Sequence, residues 1–281
     1  MVIYKFIIVL LIYNIKIHSI LIVKPLKNIH LDTPLSKNIY NLSKINYSES
    51  YLEKLKNKKL ITISPGGYKG VYMFGICAFI KDNYDLSDYI FSGASAGAWN
   101  ALMMTCKNTD IYNNNKIISH SIKQSKNMFE SENLIKEQIL KKYTTDDFHL
   151  DKLFIGVTTV EECHTYTSIY DNFKNLEDAI NCCISSSHIP LLTGGLLNIY
   201  RNKLSFDGGF SRYPYIHLMK SELHITPDIW KNVINKNEYR EFTTLFSKNK
   251  YNFDQLFQDG YNDSKQNKSF LDEIFNKKCE D

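Results

Sequence analysis

The tightest constraint on how this chain folds lies in residues 89–105. Tyr89-Ile90-Phe91 reads as a short strand, and Ala98 to Thr105, rich in Ala, Leu and Met, reads as a helix. Between them stands Gly93-Ala94-Ser95-Ala96-Gly97, a G-x-S-x-G pentapeptide. A strand that turns so abruptly into a helix brings two backbones nearly into contact, so the positions flanking Ser95 tolerate only Gly or Ala. The turn lifts the Ser95 hydroxyl out of the sheet at a helix N-terminus, where unpaired N–H groups and the helix dipole favour negative charge. Three fixed positions make a loose pattern, and a small-residue packing turn has the same appearance. The strand before and the helix after give it weight.

The surrounding text alternates in the same way. Leu60-Ile61-Thr62-Ile63 reads as a buried strand and Tyr68 to Ile80 as a helix with apolar residues at 71, 74, 75, 78 and 79. Glu130 to Lys142 reads as an amphipathic helix, Lys152 to Val160 as a strand suited to a parallel sheet, and Leu176 to Ser185 as a further helix. A hairpin-like pair around Arg201-Asn202 leads into Asp207-Gly208-Gly209. Strands alternating with helices imply an α/β fold around a mostly parallel sheet. No internal repeat is visible, and runs such as Asn113-Asn114-Asn115 read as compositional bias without functional content.

Composition narrows the function classes. With 43% hydrophobic and 23% charged residues, 281 residues support a globular core, not a disordered or collagen-like chain. The formal net charge is only +4 and no basic block occurs, so nucleic acid is not implied. The six cysteines, at 77, 106, 163, 182, 183 and 279, lack the paired spacing of a zinc site. An even count permits disulfides, yet Cys77 and Cys106 lie in apolar helix-like runs, where small buried hydrophobes are the commoner reading.

Four regions are expected: an apolar N-terminal segment 1–23, a polar tether 24–57, a catalytic domain 58–226 and a C-terminal helical extension 227–281 packed on that domain. Helices are expected in the last at Asn232 to Phe257 and Phe270 to Lys278. The uninterrupted apolar run in 1–23 is about ten residues, short of the ~20 of a spanning helix. A signal, an uncleaved anchor and a segment packed on the domain all fit it. Membrane-associated or secreted delivery and a cytoplasmic location therefore stand equally.

A second glycine cluster, Pro65-Gly66-Gly67-Tyr68-Lys69-Gly70, follows the first strand. It is neither a Walker loop, since Gly70 precedes Val71, nor the dinucleotide fingerprint, since Pro65 stands at the first glycine. Alone it reads as a helix-capping turn; beside a serine elbow its backbone N–H groups become candidate oxyanion donors. Asp207 before Gly208 and Gly209 is either a simple turn or a carboxylate at a strand end. The second reading matters because a serine hydroxyl is a poor nucleophile until a base takes its proton.

In this order and spacing, the three pieces resemble the patatin-like phospholipases, whose pattern is a glycine-rich loop, a G-x-S-x-G elbow and a D-G-G or D-G-A motif. Ile184-Ser185-Ser186-Ser187-His188-Ile189-Pro190 and Leu204-Ser205-Phe206 are similar to the family's intervening text, so the resemblance covers about residues 58–226. Two positions depart from it: Pro65 at the loop's first glycine, and Tyr213-Pro214 where an Asn commonly precedes a Pro. The resemblance implies a three-layer α/β sandwich with helices on both faces of its sheet. It also implies a membrane-associated serine esterase of lipid degradation acting on phospholipids or acylglycerols. Ser95 would be nucleophile, Asp207 proton acceptor and Gly66 to Gly70 the oxyanion loop, with no cofactor and no metal. Its partner would be a lipid substrate at a membrane or lipid surface; the oligomeric state is not implied.

Two alternatives stand beside it. One is a Ser-His-Asp esterase of α/β-hydrolase type using His217 or His224, which follow Asp207 as that chain order requires; His188 and His217 otherwise read as structural or exposed. The other is a catalytically weak lipid-binding or structural protein. Phe210, Tyr213, Tyr215, Phe242 and Phe246 read either as core or as the mouth of an acyl-chain site.

Overall fold

The computed structural model describes residues 49–107, 111–162, 164–230 and 247–275. The chain divides into two units, 1–52 and 53–281. The apolar segment 1–23, most of the expected tether, Phe242, Phe246, Cys163 and Cys279 lie outside the described residues.

The described elements run in the order α1 (Glu49–Leu55), β1 (Lys59–Ile63), α2 (Gly70–Asn83), β2 (Tyr89–Ala94), α3 (Ala96–Thr105), α4 (Ile111–Gln124) and α5 (Met128–Lys142). They continue with β3 (Leu153–Glu161), β4 (His164–Tyr170), α6 (Leu176–Ser186), β5 (Asn198–Tyr200), β6 (Lys203–Phe206), β7 (Ser221–Ile225), α7 (Phe253–Gln266) and α8 (Lys268–Ile274). The fold is α/β with a mixed seven-stranded sheet ordered β5-β6-β3-β2-β1-β7, with β4 also paired to β3. One side of it, β3-β2-β1-β7, is parallel, and the apolar runs at 60–63, 89–94 and 153–157 are buried on both faces as such a sheet demands.

β3 organises the sheet. Its first half pairs in parallel with β2, Phe91↔Leu153 to Ala94↔Gly156, and its second half pairs antiparallel with β6, Thr158↔Phe206 to Val160↔Leu204. β4 pairs along Ile155 to Glu161 and overlaps both stretches. A strand has two edges, so β2 and β6 share one of them, end to end. The β5–β6 hairpin turns through Arg201 (φ 45°) and Asn202 (φ 63°), the double left-handed turn whose twist suits a two-residue loop.

Several expectations are corrected. Residues 49–55 are helical, not tether, and the second unit opens at Glu53: Leu55 is buried and Lys54 pairs with Asp171 at 3.2 Å. The helix expected from Tyr68 begins at Gly70, after a 3-10 turn at Gly67–Lys69. In the C-terminal region, 232–246 and 276–278 are outside the described residues. The helix there starts at Phe253, because Asn252 Oδ1 accepts from the Gln255 N–H at 3.3 Å and caps it. The following helix ends at Ile274. α4 contains the Asn run, and this is not idle composition: buried Asn114 accepts from the Tyr143 hydroxyl at 2.6 Å, and Asn115 from Ser119 at 3.1 Å. Cys77, Cys182 and Cys183 are free thiols and buried, and Cys106 is buried as well. Among the described residues no helix is long and apolar enough to cross a membrane.

α2 and α7 cross at backbone contact. A Cβ on Gly75 would lie 2.0 Å from the Phe257 carbonyl oxygen, and one on Gly260 2.0 Å from that of Tyr72. The Tyr72 hydroxyl donates to Asp263 at 2.6 Å across the crossing. Neither carbonyl can retreat without moving its helix, so Gly75→Ala should lose about 3 kcal/mol of stability in urea unfolding. A loss below about 0.5 kcal/mol would show that the helices separate freely.

Candidate active site

The shared edge of β3 brings two distant residues together. β2 ends at Ala94 opposite Gly156, and β6 ends at Phe206 opposite Thr158, so the next residue of each strand leaves toward the same gap. Those residues are Ser95 and Asp207. The Ser95 Oγ donates to Asp207 Oδ2 at 2.7 Å, with both residues buried.

The elbow is as tight as its small residues imply. A Cβ on Gly93 would sit 2.1 Å from the Gly97 carbonyl oxygen, and one on Gly97 2.1 Å from that of Ile63. Ser95 takes φ 55°, ψ −128°, a conformation that L-residues avoid and that persists only where the surroundings enforce it. Part of the enforcement comes from α6: the Ser95 N–H donates to Ser186 Oγ at 2.8 Å, and Ser186 donates to the Gly156 carbonyl at 2.6 Å. That bond occupies the Ser95 amide, which leaves it unavailable to an oxyanion. Ala94 closes β2, and Ala96 opens α3.

Asp207 is held from four sides. Its N–H donates to the His188 carbonyl at 2.8 Å, its carbonyl accepts from Thr158 Oγ1 at 2.9 Å, and its Oδ1 accepts from the Gly209 N–H at 2.6 Å. Gly208 lies so close to β3 that a Cβ would meet the Gly156 oxygen at 2.2 Å. With Oδ2 bound to Ser95, the carboxylate has one rotamer and one free task.

The glycine loop joins the same place. A Cβ on Gly209 would lie 3.0 Å from Pro65, and one on Gly70 2.6 Å from Ala96. Pro65 therefore packs under the Asp207 turn, and Gly70 under the elbow. Gly67, with φ 52°, opens the turn Gly67–Lys69. Among the described residues no acceptor is bonded to the N–H of Gly66, Gly67 or Tyr68. Lys69 is buried outside the pocket lining, where burial lowers its pKa.

Ser95 and Ala96 open into a pocket of about 660 Å³ including its mouth, between α2, α3, α4 and α5. Its wall is mostly apolar: Phe74, Trp99, Ile118, Ile122, Met128 and Ile135. Gly67, Tyr68 and Gly70 line it too, which sets the loop's backbone beside the serine. Phe210, Tyr213 and Tyr215 are not part of the lining; Phe210 packs on Phe206 and Tyr213 on Tyr215. One carboxyl belongs to the wall, that of Glu132 on α5, and burial pushes its pKa well up. Sequence reasoning missed Glu132, Ser186, Ser187 and Thr158. The serine run at 185–187 was the available signal, whereas Glu132 sits in an amphipathic helix like any surface acid.

Burial raises Asp207 to about 6, against opposing hydrogen bonds from Ser95 and Gly209. It is thus ionised at neutral pH yet basic enough to take a proton. Among the described residues no histidine side chain bonds to the side chain of either dyad member. His224 Nδ1 shares a hydrogen bond with Thr62 Oγ1 at 2.8 Å, His217 stacks on Tyr213, and His188 Nδ1 meets Thr193 Oγ1 at 3.1 Å. Among the described residues no three His, Cys, Asp or Glu side chains are grouped to hold a metal ion.

The raised pKa of Asp207 means that the folded protein binds this proton more readily than the unfolded chain. The stability it contributes is full below about pH 4 and is lost as pH rises through about 6. Asn at 207 can donate to Ser95 Oγ and accept from Gly209 N–H, so Asp207→Asn keeps the geometry and removes that loss. At about pH 7 the variant should be more stable in urea by roughly 2–3 kcal/mol, with the gap closing toward pH 4. Parallel stability curves for the two proteins would contradict this account.

Comparison with protein-family models finds no match for this chain, and comparison with curated proteins finds none either, so what the site does is argued from its geometry.

Proposed function

We propose that this protein is a lipid acyl hydrolase of phospholipase A or lipase type, a serine esterase working through a Ser95–Asp207 dyad. The observation that carries the reading is the 2.7 Å bond from Ser95 Oγ, which lines a mostly apolar pocket, to the buried carboxylate of Asp207. The motif order resembles the patatin-like phospholipases, and the finer architecture of that family, three layers with helices on both sheet faces, belongs to the same proposal. So does a lipid surface as the place of action.

In the first step Asp207 takes the Ser95 proton while Oγ bonds to the ester carbonyl carbon. The carbonyl oxygen becomes an oxyanion held by the unpaired N–H groups of Gly66, Gly67 and Tyr68, whose number compensates for the missing N–H of Pro65. Collapse of the tetrahedral species breaks the bond to the alcohol, which leaves with the proton from Asp207. Water then gives its proton to Asp207 and attacks the acyl carbon; Ser95 leaves and recovers the proton. The acyl chain lies in the apolar pocket, and its exclusion of water keeps Asp207 poorly solvated and basic.

A fluorophosphonate probe should label Ser95 in the folded protein, and a fluorogenic acyl ester and a phospholipid should both be hydrolysed. Ser95→Ala and Asp207→Asn should each lower kcat by about 10³-fold or more. His217→Ala and His224→Ala should retain most activity; its loss in either would favour a triad. An unlabelled Ser95 would favour a binding protein.

The base must be ionised to act. Below about pH 6, kcat/KM should therefore fall roughly ten-fold per unit, and a flat profile to about pH 4 would remove Asp207 as the base.

A further inference from the structure

We propose that Glu132 makes one wall of the pocket a hydrogen-bond acceptor, so that the site selects acyl chains carrying a hydroxyl or N–H group over plain hydrocarbon chains. The inference rests on the hydrolase reading for its substrate, but not for the subsite itself.

Glu132 is 6% exposed and lines the same pocket as Ser95 and Ser187. Only one of its oxygens is used by the protein: Oε1 bonds to Ser187 Oγ, while Oε2 is buried with no partner. Two proton arrangements satisfy Ser187, and both leave Oε2 an acceptor: with an ionised Glu132, Ser187 donates to Oε1. The Ser187 Oγ also lies 3.1 Å from Trp99 Nε1, which only donates, and 2.8 Å from the Cys183 carbonyl, which only accepts. Ser187 has one proton. If it goes to Cys183 instead, the bond to Glu132 must be made by a proton on the carboxyl, and Ser187 accepts from both Trp99 and Glu132. That arrangement places every polar proton of the group in a hydrogen bond. It needs a neutral carboxyl, which burial favours.

A neutral carboxyl that donates through Oε1 leaves Oε2 as a bare acceptor in a mostly apolar wall, as does an ionised one that accepts there. Such an acceptor is costly to leave unmatched. A ligand donor satisfies it; a methylene or a ketone does not.

The test uses p-nitrophenyl octanoate, its hydroxylated forms with the hydroxyl moved along the chain, and the corresponding ketones. Wild-type protein should prefer at least one hydroxylated ester over the plain ester by about ten-fold in kcat/KM, the factor of one neutral hydrogen bond, and should not prefer its ketone. Glu132→Leu should bring that ratio close to one. Glu132→Gln, whose amide donates to Ser187 while its oxygen stays an acceptor, should keep it. In parallel, Ser95→Ala protein should bind the preferred methyl hydroxyoctanoate about ten-fold tighter than methyl octanoate, a readout independent of turnover.

If no ester is cleaved but the binding preference holds, the hydrolase reading fails and this one stands. Wild-type protein with no preference for any hydroxylated ligand overturns the inference without recourse to a variant. A preference that survives Glu132→Leu, or one shared equally by the ketone, overturns it as well.

Discussion

Two strands ending against each other on one edge of β3 are the condition for everything else at the site. β2 arrives in parallel and β6 antiparallel, and their ends lie opposite Gly156 and Thr158. Because the edge is shared, residues 112 positions apart in the chain meet at 2.7 Å without a long loop to carry either of them. β3 itself stabilises both sides: the Gly156 carbonyl accepts from Ser186, which holds the Ser95 amide, and Thr158 Oγ1 holds the Asp207 carbonyl. Dyad geometry is thus a property of the sheet, not of flexible segments, and a site so built loses little precision to thermal motion.

Exclusion of water raises the pKa of both carboxyls, and the hydrogen bonds each receives decide how far. Asp207 is buried but receives hydrogen bonds from Ser95 and Gly209, which favour its charged form and hold its pKa at about 6. Glu132 has only the Ser187 bond to set against complete burial, and the Asp207 charge opposes its ionisation further. One acid is consequently a base near neutral pH, and the other is pushed toward its neutral form in a mostly apolar wall. The proton transfer depends on this separation. The strained Ser95 backbone and the desolvated Asp207 are costs to the fold, which the close α2–α7 crossing and the buried parallel strands offset.

The chemical motifs were legible because each states a local steric demand. Gly93, Gly97 and Gly208 are readable as glycines with no room for a side chain, and the structure places a backbone oxygen within 2.2 Å of each missing Cβ. The central strands and most helices were legible from apolar periodicity. β4 was not: HTYTSIY is half-exposed or exposed along its length and carries no alternation to reveal it. α4 was hidden by its polar Asn run, although Ile118 and Ile122 form part of the pocket. Asn252 shows a smaller failure of the same kind, since capping geometry, not propensity, decided where the C-terminal helix begins.

By itself the sequence determined the elbow, the glycine loop and the order of their elements, because these follow from forbidden contacts between residues close in the chain. It also set Ser95 at a strand end, and it left Asp207 either there or in a simple turn. Their meeting was decided only by the tertiary structure, because pairing along β3 is a choice between edges that no local pattern encodes. The same holds for Glu132: its helix reads alike with the carboxyl in water or in a pocket. Only the packing of α3, α4, α5 and α6 around it removed the water and left one oxygen without a partner.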